Sequence, residues 1–287
     1  MQTKRPNDWP SRAVSPADVV AHVKSGMKVF IHGACATPTA LLDALAERRD
    51  VEGVELYHLH TSGPCRFTDE DQAGHFFSSS LFTGPSCRNA IADGRADYIP
   101  VFLSEIPWLF KLGHIPLDVA LLQLSPPDSH GDCTLGPSVD AALAASQHAK
   151  LVLAEINTQM PRTTGNTVVP FHRVDAFTLS DRPLIESPPG EEGEVEAQIG
   201  EHIAALIEDG STLQMGIGAI PDAVLARLGD KVDLGIHTEM FSDRVIDLVD
   251  GGVVTNRYKE IHRGRITTSF VAGTQRLFDF VDDNLKV

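Results

Sequence analysis

The sequence has 287 residues, 42% of them hydrophobic, and a formal net charge of −15 at pH 7. Such a chain can bury the core of one large domain or two smaller ones, but its acidity argues against nucleic acid as a partner, because phosphate backbones are bound by clustered Lys and Arg. The four cysteines form no C-x-x-C pair, which argues against a disulfide framework and against a cysteine-rich zinc site.

The N-terminal stretch MQTKRPNDWPSRAVSP lacks the apolar core of a signal peptide. No later window approaches the roughly 18 apolar residues that a membrane span requires. We therefore expect no membrane partner, thiols that stay reduced and a cytoplasmic location.

The first half of the chain alternates patterns of helix and strand. Runs such as DVALLQL and KLVLAEI are almost continuously apolar, as expected of strands buried on both faces of a parallel sheet. These patterns predict an N-terminal α/β domain over residues 1–184. The predicted strands cover residues 28–32, 54–60, 98–103, 118–124 and 150–156, and the predicted helices cover residues 16–25, 38–48, 86–93 and 139–147.

The chain also contains an internal repeat. Residues 19–45 and 203–228 align with one gap, and both predict a helix ended by glycine, an apolar strand, a glycine-containing turn and a helix that begins near proline. Two more matches follow in the same order, residues 54–62 with 232–239 and residues 76–94 with 266–284. Three ordered matches favour duplication, so we predict an α/β fold of two similar, mostly parallel domains.

A stretch rich in Pro, Gly and Glu, residues 181–198, separates the two copies and has the composition of a linker. We place the linker at residues 185–198 and the C-terminal domain at residues 199–287. The second copy has room for little more than half of the strands of the first. We therefore expect a truncated second domain and favour a chain that is a fragment of a longer protein.

A glycine-rich turn, MGIGAIP (215–221), follows the first strand of the second copy. Its glycines allow a ligand to approach the backbone, and the following helix start offers N–H groups to an anion or oxyanion. The turn is not a dinucleotide fingerprint, because Pro221 occupies the sixth position, and it lacks the lysine of a P-loop. The alternative is a tight turn that binds nothing.

Glu239 follows the next strand, at the carboxyl end where open α/β sheets bind ligands. A carboxylate that faces the glycine-rich turn could be a general base or a covalent nucleophile. The alternative is an acid near the start of a helix over residues 242–249, for which Ser242 is the predicted N-cap. The aligned residue of the first copy is Ser62, so the fold does not require an acid there. His237 could orient Glu239, but a structural histidine with satisfied hydrogen bonds is the favoured interpretation.

The remaining polar motifs are weaker. The histidines, including His58 and His60 on one strand face, form no H-x-x-x-H or H-E-x-x-H pattern, so no metal site is expected. The loops at residues 126–138 and 157–166 lie beyond strand ends, and they are either substrate loops or plain connections.

Five stretches together resemble the acetyl-CoA hydrolase/transferase family, and within it the 4-hydroxybutyrate (or butyrate/acetate) coenzyme A-transferases. They are GIGAIPDAVL, LGIHTEMFSDRVIDLVDGGVVTN, PVFLSEIP (100–107), SPPDSHG (125–131) and QMPRTTG (159–165). The resemblance implies two similar α/β domains and a homodimer or larger homo-oligomer. It also implies that acyl-CoA and small carboxylic acids are the substrates, with no permanently bound cofactor.

The resemblance further implies the roles of individual residues. Glu239 would be the catalytic glutamate, which attacks acyl-CoA and then carries coenzyme A as a thioester in a ping-pong exchange. The coenzyme A site would be lined by the backbone of Gly216, Ile217, Gly218, Ala219 and Ile220. An acyl-CoA hydrolase that uses the same intermediate is the close alternative. The family continues beyond Val287, so a chain that ends there is expected to be weakly active or inactive, or a non-catalytic α/β binding protein.

Overall fold

The computed structural model describes residues 6–287, and the chain divides into two compact units between Ile185 and Glu186. Each unit combines parallel strands with short helices. No helix within residues 6–287 is both long enough and apolar enough to cross a bilayer.

The first unit is built on a seven-stranded sheet in which every neighbouring pair of strands is parallel. Across the sheet, the strands are Ala96–Tyr98, Phe76–Ser80, Val54–His58, Lys28–Ile31, Val119–Leu124, Leu151–Asn157 and Ala176–Ser180. All six residues of the strand Val119–Leu124 are buried, as the unbroken apolar run predicts. A separate antiparallel pair joins Asp132–Thr134 to Val168–Pro170.

Helices pack on both faces of this sheet, because successive strand residues point to opposite sides. Val29 and Ile31 enter one core, while Phe30 between them enters the other. The first core is completed by helices Pro16–Val20, Thr39–Ala46 and Pro85–Ala92, and the second by helices Ile106–Lys111 and Ala142–His148. Short 3₁₀ helices cover Pro6–Arg12, Arg66–Thr68, Glu70–Gln72, Leu103–Glu105 and Phe171–Arg173.

The predicted strand over residues 98–103 is wrong, because the strand spans Ala96–Tyr98 and the chain then turns into a 3₁₀ helix. The strand Phe76–Ser80 was not among the predicted strands, because three consecutive serines give it a polar pattern. These serines are nevertheless buried. Their hydroxyl groups are bonded to other groups of the same unit, as when Ser79 donates to Glu55 Oε1 at 3.2 Å, and this bonding offsets the cost of burial.

The second unit repeats the beginning of the first with shorter strands. Parallel pairing joins Thr212–Leu213 to Gly235–Ile236 and Met240–Phe241 to Phe270–Val271, and single bridges link Leu234 to Val254 and His237 to Thr267. The helices are Glu194–Ala204, Ala219–Leu225, Arg244–Asp250 and Gln275–Val281. The first of these begins inside the segment 185–198 that we expected to be a linker, so only the part before Glu194 is without helix.

The order of the strands confirms the predicted fold of two similar α/β domains. In the second unit, residues 234–241 lie between residues 212–213 and residues 266–271. In the first unit, the strand Val54–His58 lies in the same way between Lys28–Ile31 and Phe76–Ser80. The same parallel order of equivalent segments is the result expected of a duplicated unit.

Candidate active site

The glycine-rich turn leaves the strand Thr212–Leu213 and enters the helix Ala219–Leu225. Its second glycine, Gly218, is the N-cap residue and has φ = 110° and ψ = −178°. This conformation is available to glycine and is strained for residues with a Cβ atom. The turn therefore depends on Gly218 for its path.

The backbone of this turn is open to a ligand. Among the hydrogen bonds of residues 6–287, none uses the N–H of Gly216, Ile217, Gly218, Ala219 or Ile220 as donor. Gly216, Ile217 and Ile220 are also exposed. A run of available N–H groups at the start of a helix is suited to binding an anion or an oxyanion.

The hydroxyl group of Thr238 fixes this turn next to Glu239. Its Oγ1 accepts from the N–H of Met215 at 3.0 Å, and it lies 2.8 Å from the carbonyl oxygen of Met215 and 2.9 Å from that of Met240. Met215 immediately precedes the glycine-rich turn, and Thr238 immediately precedes Glu239. One side chain therefore holds together the two segments that the sequence singled out.

Glu239 has a fixed backbone and an exposed side chain. Its carbonyl oxygen accepts from the N–H of Ser269 at 3.0 Å, from the N–H of Phe270 at 3.1 Å and from Thr268 Oγ1 at 3.0 Å. Within the described part of the chain, no hydrogen bond or ion pair engages its carboxylate. The carboxylate is therefore available for reaction beyond the carboxyl end of the strand Gly235–Ile236.

The helix after Glu239 does not begin as predicted. It spans Arg244–Asp250, and Ser242 does not cap it, because Ser242 Oγ donates instead to the buried Asp222 Oδ1 at 2.5 Å. Asp243 accepts from the N–H of Thr274 at 2.9 Å and from its hydroxyl at 2.5 Å. Both side chains are thus used to join neighbouring helices, which a short-range capping pattern could not indicate.

Lys259 is buried beneath the strand that leads to Glu239. Its ammonium group donates to the carbonyl oxygens of Ile236 at 2.7 Å and Arg265 at 2.6 Å, and to Thr267 Oγ1 at 3.1 Å. Burial lowers the pKa of Lys259. The side chain thus fastens the loop after Asn256 to the strand Gly235–Ile236, and no pattern in the sequence indicated this role.

His237 lies two residues before Glu239, close enough to Lys259 and His262 for their charges to act on it. Burial lowers its pKa, and the positive charges of Lys259 and His262 lower it further. Its ring centroid is 6.2 Å from that of His262. Among the described residues no hydrogen bond joins His237 to the Glu239 carboxylate, so no direct contact supports the orienting role that was the less favoured of its two interpretations.

An apolar cleft of about 200 Å³ opens beside the glycine-rich turn. Its lining is largely aliphatic and includes Ile203, Ile207, Leu213, Met215, Ile220 and Val224. The cleft and the available N–H groups meet at Gly216 and Ile220. The arrangement suits a ligand that has both an apolar portion and an anionic or polarised oxygen.

The other candidate motifs have structural partners. Arg162 joins the loops at residues 126–138 and 157–166, since it pairs with Asp128 Oδ2 at 3.0 Å and donates to two carbonyl oxygens at 3.1 Å. His58 Nε2 lies 2.7 Å from Ser78 Oγ. No group of three or more His, Cys, Asp or Glu side chains suited to a metal ion occurs in the described part of the chain.

Replacing Thr238 by Val is expected to lower the free energy of unfolding of the second unit by about 1–3 kcal/mol, because the N–H of Met215 loses its acceptor while the methyl groups keep the shape of the side chain. Urea unfolding measures this loss, and faster amide hydrogen exchange at Met215 locates it. The matched control is Thr212→Val, since Thr212 is exposed. Equal stability of both variants would show that the hydroxyl group does not hold the turn.

Comparison with known proteins agrees with the resemblance found in the sequence. Residues 1–186 match the acetyl-CoA hydrolase/transferase N-terminal domain family. The chain is 48% identical over 286 residues to a succinyl-CoA:acetate/propanoyl-CoA:succinate CoA transferase of Fasciola hepatica, with 98% of this chain and 59% of that protein covered. It is 43% identical over 280 residues to a 4-hydroxybutyrate coenzyme A transferase of Clostridium kluyveri, with 97% of this chain and 65% of that protein covered.

A solved structure gives the same result for the fold. The crystal structure of a 4-hydroxybutyrate CoA-transferase from Porphyromonas gingivalis superimposes with a TM-score of 0.86 at 33% identity, over 99% of this chain and 68% of that chain. The chain thus spans about three fifths to two thirds of the length of these relatives. The family match covers well over half of the chain. The chain therefore belongs to the acetyl-CoA hydrolase/transferase family.

Proposed function

We propose that this chain carries the catalytic glutamate of a coenzyme A-transferase that moves coenzyme A between short-chain carboxylic acids. The observation that carries the proposal is the exposed carboxylate of Glu239, whose neighbour Thr238 bonds to Met215 at the start of a turn with available N–H groups. The similarity to proteins named as CoA transferases over nearly the whole chain supports it. Coenzyme A and acyl-CoA are substrates in this scheme, with no permanently bound cofactor.

The proposed reaction begins with attack of the Glu239 carboxylate on the thioester carbonyl of acyl-CoA. The thioester bond breaks, and a mixed anhydride and the thiolate of coenzyme A result. The thiolate then attacks the glutamyl carbonyl, which releases the first carboxylate and leaves coenzyme A joined to Glu239 as a thioester. A second carboxylate reverses these steps and leaves as the new acyl-CoA.

A carboxylate is a weak nucleophile, so the rate must come from positioning and from stabilising the oxyanion that forms at the attacked carbonyl. The backbone N–H groups of Gly216, Ile217, Gly218, Ala219 and Ile220 are the proposed donors for this oxyanion and for coenzyme A. Thr238 joins Met215, which precedes these donors, to the residue before Glu239, and this link would limit reorganisation of the backbone when charge develops. The apolar cleft beside the turn would accept the aliphatic part of the substrate.

We propose acids of the 4-hydroxybutyrate, butyrate or acetate type as substrates, because relatives at 43–48% identity are named for small aliphatic acids of this kind. A homodimer or larger homo-oligomer is proposed on the same resemblance. A cytoplasmic location is supported by four cysteines of which none is in a disulfide, as is usual in a reducing compartment.

An acyl-CoA hydrolase would form the same glutamyl-CoA thioester, but water would hydrolyse it in place of attack by a second carboxylate. The two activities differ in their dependence on a second acid. In H₂¹⁸O with butyryl-CoA alone, we expect little turnover and no steady release of ¹⁸O-labelled butyrate, and we expect rapid formation of acetyl-CoA once acetate is added. Sustained release of labelled butyrate without an acceptor would identify a hydrolase and contradict transfer.

A further inference from the structure

A hydrogen bond between Asp222 and Ser242 lies beside the candidate active site. Asp222 is in the first turn of the helix that the glycine-rich turn enters, and Ser242 follows Glu239 by three residues. Ser242 Oγ donates to Asp222 Oδ1 at 2.5 Å. The bond therefore joins the chain just after the glycine-rich turn to the chain just after the glutamate.

A second bond joins the same two segments at their other end. Thr238 Oγ1 accepts from the N–H of Met215 at 3.0 Å, and these residues directly precede the glutamate and the turn. The turn residues 216–221 therefore lie between two anchor points, and so do residues 239–241. The two segments cannot shift past each other unless one of the two bonds breaks.

Stability alone does not explain the Asp222–Ser242 pair. Asp222 is 6% exposed and Ser242 is 4% exposed. Within residues 6–287, the Ser242 hydroxyl is the one hydrogen-bond donor to this carboxylate, because Asp222 Oδ2 has no partner. A buried carboxylate with a single donor costs free energy, and two apolar side chains of similar shape would be about as stable or more stable. The pair therefore indicates a role beyond holding the fold together.

The first copy of the repeat has a different pair of residues at these positions. Thr39 stands at the position of Asp222. Cys65 stands at the position of Ser242. The same copy also has a serine in place of the glutamate. The aspartate, its hydroxyl partner and the glutamate thus occur together in one copy only, as expected of residues that serve one site.

We propose that Asp222 and Ser242 are positioning residues for coenzyme A transfer, a role that rests on the proposed function of Glu239. They hold the N–H donors of the glycine-rich turn at the distance from Glu239 that the reaction needs. Neither side chain touches the substrate, since Asp222 acts through the turn and Ser242 through the strand Met240–Phe241. Position matters because a shift of about 1 Å between reacting groups can cost about a hundredfold in rate.

The test compares Ser242→Ala with Thr274→Val in the intact chain. Thr274 Oγ1 also donates to a buried aspartate, Asp243, at 2.5 Å, but this bond lies between the starts of helices Arg244–Asp250 and Gln275–Val281. With butyryl-CoA and acetate, Ser242→Ala should lower kcat at least about tenfold and change the KM for butyryl-CoA less than about threefold, because the misplaced donors act in the transition state. Thr274→Val should keep the kcat of the parent protein.

A double variant separates positioning from stability. Adding Asp222→Ala to Ser242→Ala removes the buried carboxylate that has lost its donor, so the double variant should resist urea better than Ser242→Ala. Its kcat should nevertheless stay at least about tenfold below that of the parent. The double variant also provides the rate measurement if Ser242→Ala does not fold. Recovery of kcat together with stability would show that the bond serves only the fold, and it would overturn the proposal.

Amide hydrogen exchange tests the position of the turn independently of the reaction. The N–H of Asp222 donates to the carbonyl oxygen of Gly218 at 3.1 Å, so its exchange reports whether the start of the helix is held. It should exchange at least about tenfold faster in Ser242→Ala than in Thr274→Val. A parent chain that transfers no coenzyme A would contradict the proposed function, whereas equal exchange at Asp222 in these two variants would contradict the positioning role.

Discussion

Replacing Glu239 by Ala is expected to reduce coenzyme A transfer by at least about a thousandfold, because the variant has no carboxylate that can form the anhydride and the thioester. The measurement is the rate of acetyl-CoA formation from butyryl-CoA and acetate in a preparation that is active before the substitution. Borohydride added during turnover should reduce the glutamyl thioester of the parent protein, and mass spectrometry should find this reduction at Glu239. The variant should show none.

The fold of the variant should be unaffected. The Glu239 carboxylate forms no hydrogen bond or ion pair within the described residues, and its counterpart in the first copy is Ser62. The midpoint of urea unfolding should therefore stay at its original value. The matched control is Glu260→Ala, because Glu260 is another exposed acid of the second unit. Turnover in Glu239→Ala equal to that in Glu260→Ala would exclude the covalent mechanism.

The architecture could be predicted from sequence because it depends on local patterns that occur twice. Apolar runs such as Val119–Leu124 indicate strands buried on both faces, and the ordered matches between the two halves indicate the same strand order in both units. The strand Phe76–Ser80 was not predicted because burial of Ser78 and Ser79 depends on partners in another strand, His58 and Glu55. A pattern confined to one segment does not contain that information.

Comparison of the two copies was the most informative signal for the candidate site. The first copy has Ser62 where the second has Glu239, so the acid is dispensable for the fold and gains a functional interpretation. The same comparison contained a signal for Thr238 that was missed, since the dipeptide His-Thr precedes the aligned position in both copies. What Thr238 bonds to could not be predicted, because Met215 lies 23 residues away in sequence.

At Ser242 a local sequence pattern gave a wrong prediction. A serine immediately before an apolar helical pattern is a good N-cap candidate on local grounds. In the structure its hydroxyl group is bonded to Asp222, which lies 20 residues earlier on another helix. The hydroxyl group bonds to the buried Asp222 carboxylate and not to a backbone N–H of the helix. The helix therefore begins at Arg244, two residues after Ser242, without a serine cap.

Ion pairs between residues distant in sequence could likewise not be predicted. The pair of Arg182 with the buried Glu155, in the first unit, is an example. Glu155 is completely buried in the strand Leu151–Asn157, and its Oε1 accepts from Arg182 Nε at 2.6 Å. Its second carboxylate oxygen accepts from the N–H of Ala40 at 3.3 Å. Arg182 also donates to the carbonyl oxygen of Thr37 at 3.1 Å. The stretch that resembled a linker thus supplies the cation for a buried acid.

Replacing Arg182 by Met is therefore expected to lower the free energy of unfolding of the first unit by about 3–5 kcal/mol, because the Glu155 carboxylate remains buried without its charge partner. Urea unfolding, followed by a probe in the first unit, measures the loss. The control is Arg66→Met, which removes an equally short ion pair with Glu47 whose side chains are 40% and 68% exposed, and it should leave the midpoint nearly unchanged.

A second substitution identifies the cause of that loss. Adding Glu155→Gln to Arg182→Met removes the isolated buried charge, so the double variant should regain a large part of the stability that Arg182→Met loses. If Arg182→Met costs no more than Arg66→Met, the guanidinium is not needed to hold Glu155. If the double variant is instead less stable than Arg182→Met, the cost arises from lost packing of the long side chain and not from the unpaired carboxylate.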